Sequence, residues 1–178
     1  MPDGVVVGAS AIEGQGVFAT RAFRKGEIVL IIYDSRIVDD ASPLKRGEDR
    51  RHCDYIAAGR VVLMQPPERY INHSCDPNTY VRTVMGERQV LVRRDIAPGE
   101  EITYDYCVNG GGDTVWQCHC GAARCRHEIH SDFFHLPIEL QGEYLPELES
   151  WFQTERAAEM KRLQALLSST KPKTELSS

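Results

Sequence analysis

Residues 70–80 read "YINHSCDPNTY". Three chemistries overlap there. Asn72-His73-Ser74 matches the N-x-S glycosylation acceptor, His73 and Cys75 are a candidate base and nucleophile, and Cys75 is a candidate metal ligand. A sequon matters only in a secreted chain, and "MPDGVVVGAS" has neither a basic n-region nor a long apolar h-region. The expectation is an intracellular protein, cytoplasmic or nuclear; delivery to a host cell is the alternative for a microbial source. His73 and Cys75 would share one face of an extended segment, but no third orienting group is evident. That leaves the metal reading, which the rest of the chain tests.

"CHCGAARC" sets Cys118, Cys120 and Cys125 at C-x-C-x4-C. Close thiolates at such spacing can share one tetrahedral zinc, and three of them leave one ligand place open. Cys75, His119, His127 and His130 are the candidates for it. The competing reading is reduced cysteines packed as small hydrophobes. Six cysteines in a chain with no secretion signal favour ligands or free thiols over a disulfide framework.

At 178 residues the chain suits one domain with a core, and 42% hydrophobic and 26% charged residues are ordinary for a globular protein. No run of about 18 apolar residues exists, so no membrane span is expected. The net charge of −5 and the short basic pairs Arg50-Arg51 and Arg93-Arg94 argue against direct nucleic-acid binding. An acidic surface favours encounter with a basic protein or peptide.

The first half reads as short strands separated by turns, with strands expected at 5–7, 27–33, 60–64, 78–84, 89–93 and 101–106. Gly14 and Gly16 mark a turn, 34–49 a polar loop with room for a short helix, and 110–113 a flexible connector. From about 137 to 167, Leu145, Leu148, Phe152, Met160, Leu163 and Leu167 recur at helical intervals, with Pro146 expected to start the longer of two helices. The last residues are polar and expected to fray.

Taken together, the motifs resemble the SET-domain protein lysine methyltransferases. "EGQGVFATRAFRKGEIV" (13–29) is similar to the family's N-terminal G-x-G segment, "RYINHSCDPN" (69–78) to its N-H-S-C-x-P-N motif, "RDIAPGEEITYDY" (94–106) to its G-E-E-[IL]-T-[FY]-D-Y motif, and "CHCGAARCRHEI" (118–129) to the post-SET tail. The four stand in the family's order. The resemblance implies a mainly-β SET (β-clip) fold of short sheets with a pseudoknot, a zinc-bound tail and C-terminal helices. It divides the chain into a SET domain at 1–110, a post-SET zinc segment at 111–131, a helical extension at 132–168 and a flexible tail at 169–178. It also implies a zinc held by Cys75, Cys118, Cys120 and Cys125, and S-adenosylmethionine held by Glu13, Gly14, Gln15, Arg69, Asn72 and His73.

By the same resemblance Tyr106 is the catalytic tyrosine, and Tyr104 stands at the family's phenylalanine/tyrosine switch position. An extra hydroxyl there favours adding one or two methyl groups over three. Tyr55 is a further candidate channel wall. On a strand, Tyr104 and Tyr106 face one way and Asp105 the other. The chain departs from the family at His127, where many relatives carry Gly, and it lacks the pre-SET zinc cluster. The activity implied is mono- or dimethylation of a lysine in a basic protein such as a histone, by a monomer. The alternatives are a catalytically silent SET module that binds a basic peptide, and a methyltransferase of a non-protein amine.

Overall fold

The computed structural model describes residues 2–170. Its elements in chain order are β1 (Val5–Ala9), β2 (Gln15–Ala19), β3 (Ile28–Ile32), β4 (Cys53–Ile56), β5 (Arg60–Leu63), β6 (Asn72–His73), β7 (Thr79–Val84), β8 (Glu87–Val92), β9 (Glu101–Tyr104), β10 (Gly111–Gln117) and β11 (Glu128–Asp132), then α1 (Ile138–Tyr144), α2 (Ser150–Glu155) and α3 (Ala157–Thr170). They form a sheet β1-β2-β9-β6, a sheet β3-β8-β7, and the hairpins β4-β5 and β10-β11. The architecture is mainly small β-sheets with helices at the C-terminal end, as expected.

The apolar β-branched runs did become strands because each buries one face. Val5, Val17, Phe23, Leu30, Ile71, Val90, Val92, Ile96 and Ile102 close into one apolar core between the two larger sheets. A second cluster gathers Cys75, Cys107 and Cys118 with Ile129, Phe133, Tyr144, Phe152 and Leu163 from the C-terminal part. The two-residue β6 runs parallel to β9, pairing Asn72 with Thr103 and His73 with Tyr104. Parallel pairing cannot come from a tight hairpin, so this contact joins segments distant in sequence.

Four expectations are corrected. Gly16 lies inside β2 opposite Gly8, so of the two glycines only Gly14, at φ +48°, belongs to the turn. Residues 110–113 are not a connector. β10 starts at Gly111, and a Cβ at Gly110 would lie 2.0 Å from the Ser131 carbonyl oxygen, so glycine there serves close backbone approach. Pro146 starts no long helix. It sits in a 3-10 turn (Leu145–Glu147), after which extended Leu148 and Glu149 interrupt the helical spacing. The longest helix is α3, and it takes in the first residues of the expected tail; from residue 171 on, that tail lies outside the described residues.

Candidate active site

The β6/β9 crossing is braced by side chains of the opening motif. Asn78 donates from Nδ2 to the Glu101 carbonyl (2.8 Å) and accepts the Thr103 N–H at Oδ1 (2.9 Å), while Thr79 donates from Oγ1 to the Thr103 carbonyl (2.8 Å). Beyond Tyr104 the strand stops. Asp105 accepts the Cys107 N–H at Oδ1 (3.1 Å), and its carbonyl accepts the Val108 N–H (3.0 Å), so Tyr106 lies in a turn. Tyr104 and Tyr106 still come together, with ring centroids 4.9 Å apart, but a turn achieves it and not a continuing strand.

Asp105 is 1% exposed. Burial alone would raise its pKa, but the Arg126 fork at 2.6 and 2.9 Å holds it below the usual carboxylate range. Tyr144 of α1 donates to the same carboxylate at 3.3 Å.

Tyr106 is the centre of an aromatic group. Its ring packs 5.3 Å from His73 and 6.2 Å from Trp116, and its hydroxyl donates to the Ile71 carbonyl at 2.7 Å. Trp116, on β10, also meets His73 at 5.7 Å. No spacing rule pointed to Trp116 in the sequence; only the position of the β10-β11 hairpin brings it here. Burial raises the phenol pKa of both Tyr104 and Tyr106, so both are neutral phenols near pH 7.

His73 Nδ1 accepts the Tyr106 N–H at 3.2 Å, which assigns the ring proton to Nε2, 3.5 Å from Cys75 Sγ. Burial lowers the His73 pKa to about 4, so the ring is neutral. Asp105 Oδ1 lies 3.6 Å from Nδ1, but with no proton on that nitrogen it makes no orienting hydrogen bond to the ring. The tautomer turns an N–H toward the sulfur. His73 is a donor to Cys75 and not a base for it, which suits a ligand and not a nucleophile.

Cys75, Cys118, Cys120 and Cys125 bring their sulfurs within 4.8 Å of one another, and Cys75 and Cys118 are 3.8 Å apart. A tetrahedral zinc with bonds of about 2.3 Å requires sulfurs about 3.8 Å apart, so the set fits one zinc. The Arg126 N–H points at Cys75 Sγ (3.3 Å), and Arg124 Nε holds the Cys75 carbonyl (3.1 Å). At Cys120 burial works to raise the thiol pKa, but the backbone N–H groups of Cys75 and Ala122 outweigh it and bring it to about 7, close to the thiolate a metal binds. Among the candidates for the fourth place it is Cys75 that joins the cluster, while His130 pairs with Glu128 and stacks on His135. Cys53 and Cys107 lie outside it as free thiols.

On the other side of β6, Asn72 Nδ2 donates to the carbonyls of Glu13 (3.2 Å) and Gln15 (3.0 Å), so the Gly14 turn and Asn72 form one unit. A Cβ at Gly14 would meet nothing within 4 Å, so the turn faces open space. Arg69, in the 3-10 turn (Glu68–Tyr70), donates from Nη2 to Tyr70 Oη, while its Nε is buried without a partner among the described residues. Tyr55 stands apart from the aromatic group: it is 56% exposed on β4, with its hydroxyl accepting from Arg50.

The SET domain family model matches residues 14–107. The chain belongs to the SET-domain family. The match contains Gly14, the β6 motif, β9 and Tyr106, and ends before the cysteine tail. Among curated relatives, the histone-lysine N-methyltransferase TRX1 of Oryza sativa subsp. japonica is 33% identical over 157 residues, 76% of this chain and 14% of that protein. The chain thus spans a small part of that relative's length. Among solved structures, KRYPTONITE in complex with mCHG DNA and SAH matches at TM-score 0.54 and 25% identity, over 70% of this chain and 28% of that one. KRYPTONITE with mCHH DNA, an H3(1-15) peptide and SAH matches at TM-score 0.56 and 22% identity, over 71% and 29%. These place this SET-domain chain in the same fold.

Proposed function

We propose that this chain is an S-adenosylmethionine-dependent protein lysine N-methyltransferase that adds one or two methyl groups to a lysine in a basic protein, such as a histone. The carrying observation is the junction at residues 71–73. The Tyr106 hydroxyl is fixed on Ile71, directly beside Asn72, whose amide holds the Gly14 turn. The candidate catalytic phenol and the candidate cofactor turn are thus anchored on adjacent residues. The family membership, the name of the rice relative and the SAH bound to KRYPTONITE support the same reading.

The residues present fit the cofactor. The partnerless Arg69 Nε suits its carboxylate, and the open turn at Glu13, Gly14 and Gln15, with Asn72 and His73, suits the remainder. When bound, S-adenosylmethionine supplies an electrophilic methyl group on a sulfonium. The chain's own work is to present a neutral amine in line with it. Tyr106 is no proton acceptor, because its pKa is raised and its proton is engaged by Ile71. A free lysine titrates near 10.4, and an aromatic enclosure of Tyr104, Tyr106 and Trp116 that strips water from it disfavours the ammonium form. Catalysis is then positioning and desolvation. The limit to one or two methyl groups is assigned to Tyr104, whose ring lies 4.9 Å from that of Tyr106 and whose hydroxyl would take up room beside the amine.

The four-cysteine zinc is proposed as a post-SET site that holds the Trp116 hairpin over Tyr106, in a monomer whose acidic surface meets a basic substrate inside the cell. Incubation with labelled S-adenosylmethionine and histones or whole-cell protein is expected to label lysine. Tyr106→Phe is expected to lower kcat about 100-fold or more while cofactor affinity stays within about threefold. Absence of labelling by wild type in every extract overturns the reading.

A further inference from the structure

We infer that Glu101 is a positioning residue that sets the candidate cofactor turn through Ser10 and Asn72. The inference rests on the methyltransferase reading. Glu101 opens β9, between β2 and β6, where its carboxylate reaches both segments that frame the turn. Oε1 accepts from Ser10 Oγ and from Asn72 Nδ2, both at 2.8 Å, and Oε2 accepts from Ser10 Oγ at 2.9 Å. The Ser10 hydroxyl in turn accepts the Ile12 N–H at 2.9 Å, and the Ser10 N–H donates to the Gly14 carbonyl at 3.1 Å. One carboxylate therefore orders the chain from Ser10 to Gly14 on one side and the Asn72 amide on the other.

The glycine pattern agrees with this arrangement. A Cβ at Gly16 would lie 2.3 Å from Glu101 Oε1 and 3.0 Å from Ser10 Cβ, so a side chain at that position is incompatible with the clamp. Gly14 and Gly16 thus do separate jobs: Gly14 provides the left-handed turn, and Gly16 admits the carboxylate. The side-chain donors to the Glu101 carboxylate are a neutral hydroxyl and a neutral amide. Its visible task is to accept: the two N–H groups of Asn72 Nδ2 are shared among Glu101 Oε1 and the Glu13 and Gln15 carbonyls, so the carboxylate anchors the amide between β9 and the turn.

The test compares Glu101→Ala, Glu101→Gln and Ser10→Ala with wild type. It reads the KM for S-adenosylmethionine, the KM for a peptide substrate, kcat, the thermal midpoint and, by calorimetry, the Kd for S-adenosylhomocysteine. For Glu101→Ala the expected result is a cofactor KM and Kd raised about tenfold or more, with peptide KM and saturating kcat within about threefold. Glu101→Gln keeps an acceptor and is expected to restore both within about threefold; Ser10→Ala, which removes one arm, is expected to raise them about threefold or more. A purely structural role would instead lower the thermal midpoint and the active fraction at unchanged cofactor KM, and that result overturns the inference. So does a Gln variant as damaged as Ala, or a Ser10→Ala variant indistinguishable from wild type. If Glu101→Ala fails to fold, the Gln and Ser10 variants decide. Wild type that neither binds the cofactor nor transfers a methyl group sinks the underlying reading, a failure distinct from those of the variants.

Discussion

The two cores of this chain are held by different physics. The first is apolar and mostly aliphatic: Val17, Phe23, Ile71, Val92, Ile96 and Ile102 are each 1% exposed or less, and burial drives their assembly. The second mixes thiols with aromatic rings and is laced with charge. Arg126 pairs with buried Asp105, Arg124 with Asp76 and Glu143, Arg93 with Glu143 and Glu147, and Arg156 with Asp132 and Glu159. A buried carboxylate and four converging sulfurs cost free energy unless a cation neutralises them. The first cluster is therefore assembled by apolar burial, whereas the second leans on arginine pairs and, at the sulfurs, suits a metal. The aromatic group lies where the two meet.

Removing the metal should expose the difference most sharply. A strong chelator is expected to release close to one zinc per chain and to loosen the second cluster, with loss of activity, while amide protection persists in β2, β8 and β9. Both tryptophans, Trp116 and Trp151, pack against the second cluster, so fluorescence reports on that region selectively. Fluorescence and exchange that change together would show the two cores to be a single cooperative unit.

Asp105→Asn comes next. It leaves Arg126 buried without its counter-charge, and a loss of about 3–5 kcal/mol is expected in denaturant unfolding followed by tryptophan fluorescence. A loss below about 1 kcal/mol would mean that the pair is not a principal support of the second region.

The regions should also respond oppositely to pH. Glu68, packed under the first sheets and 3% exposed, has its pKa raised to about 7 by burial, against an ordinary 4.5. The folded state keeps that proton longer than the unfolded chain does, so stability falls as pH rises from about 4.5 to about 7, by at most about 3 kcal/mol. Glu143 is held down to about 2, first by its hydrogen bond to Arg124, so its contribution is complete above about 4.5 and is lost as pH falls toward 2. Glu68→Gln is expected to flatten the decline in thermal midpoint between pH 5 and 8 while leaving the acid limb unchanged. A variant that still declines like wild type would remove Glu68 as the cause.

The smallest effect concerns His127, which sits at φ +62° between Cys125, the last of the cluster sulfurs, and β11. Left-handed backbone strains a residue with a Cβ, so His127→Gly is expected to stabilise the second region by about 1 kcal/mol, read from thermal melting of the zinc-loaded protein. A destabilised variant would mean that the imidazole makes a contact worth more than the strain.

Much of the fold was legible because its signals are local. β-branched runs at β3, β7 and β8 announce strands, and Pro98-Gly99, with Gly99 at φ +83°, announces the turn before β9. What escaped depends on partners distant in sequence. β2 was hidden behind a glycine pair, β10 reads as a glycine linker until it meets β11, and Pro146 looked like a helix start where a 3-10 turn forms. At the site, Trp116 and Glu101 carried no local signal for their contacts.

By itself, the sequence determined which residue types were available: three cysteines at C-x-C-x4-C with a fourth in the N-H-S-C motif, a turn glycine at 14, and tyrosines two apart after a G-E-E strand. Spacing along a chain limits what neighbours can do, and these features are spacing. Only the tertiary structure decided that Cys75 rather than a histidine completes the sulfur cluster, that a turn and not a strand pairs Tyr104 with Tyr106, and that His73 turns an N–H toward sulfur. Each of these follows from the parallel contact of β6 with β9, and such a contact is made by chain closure over long loops, which leaves no periodicity in the sequence to read.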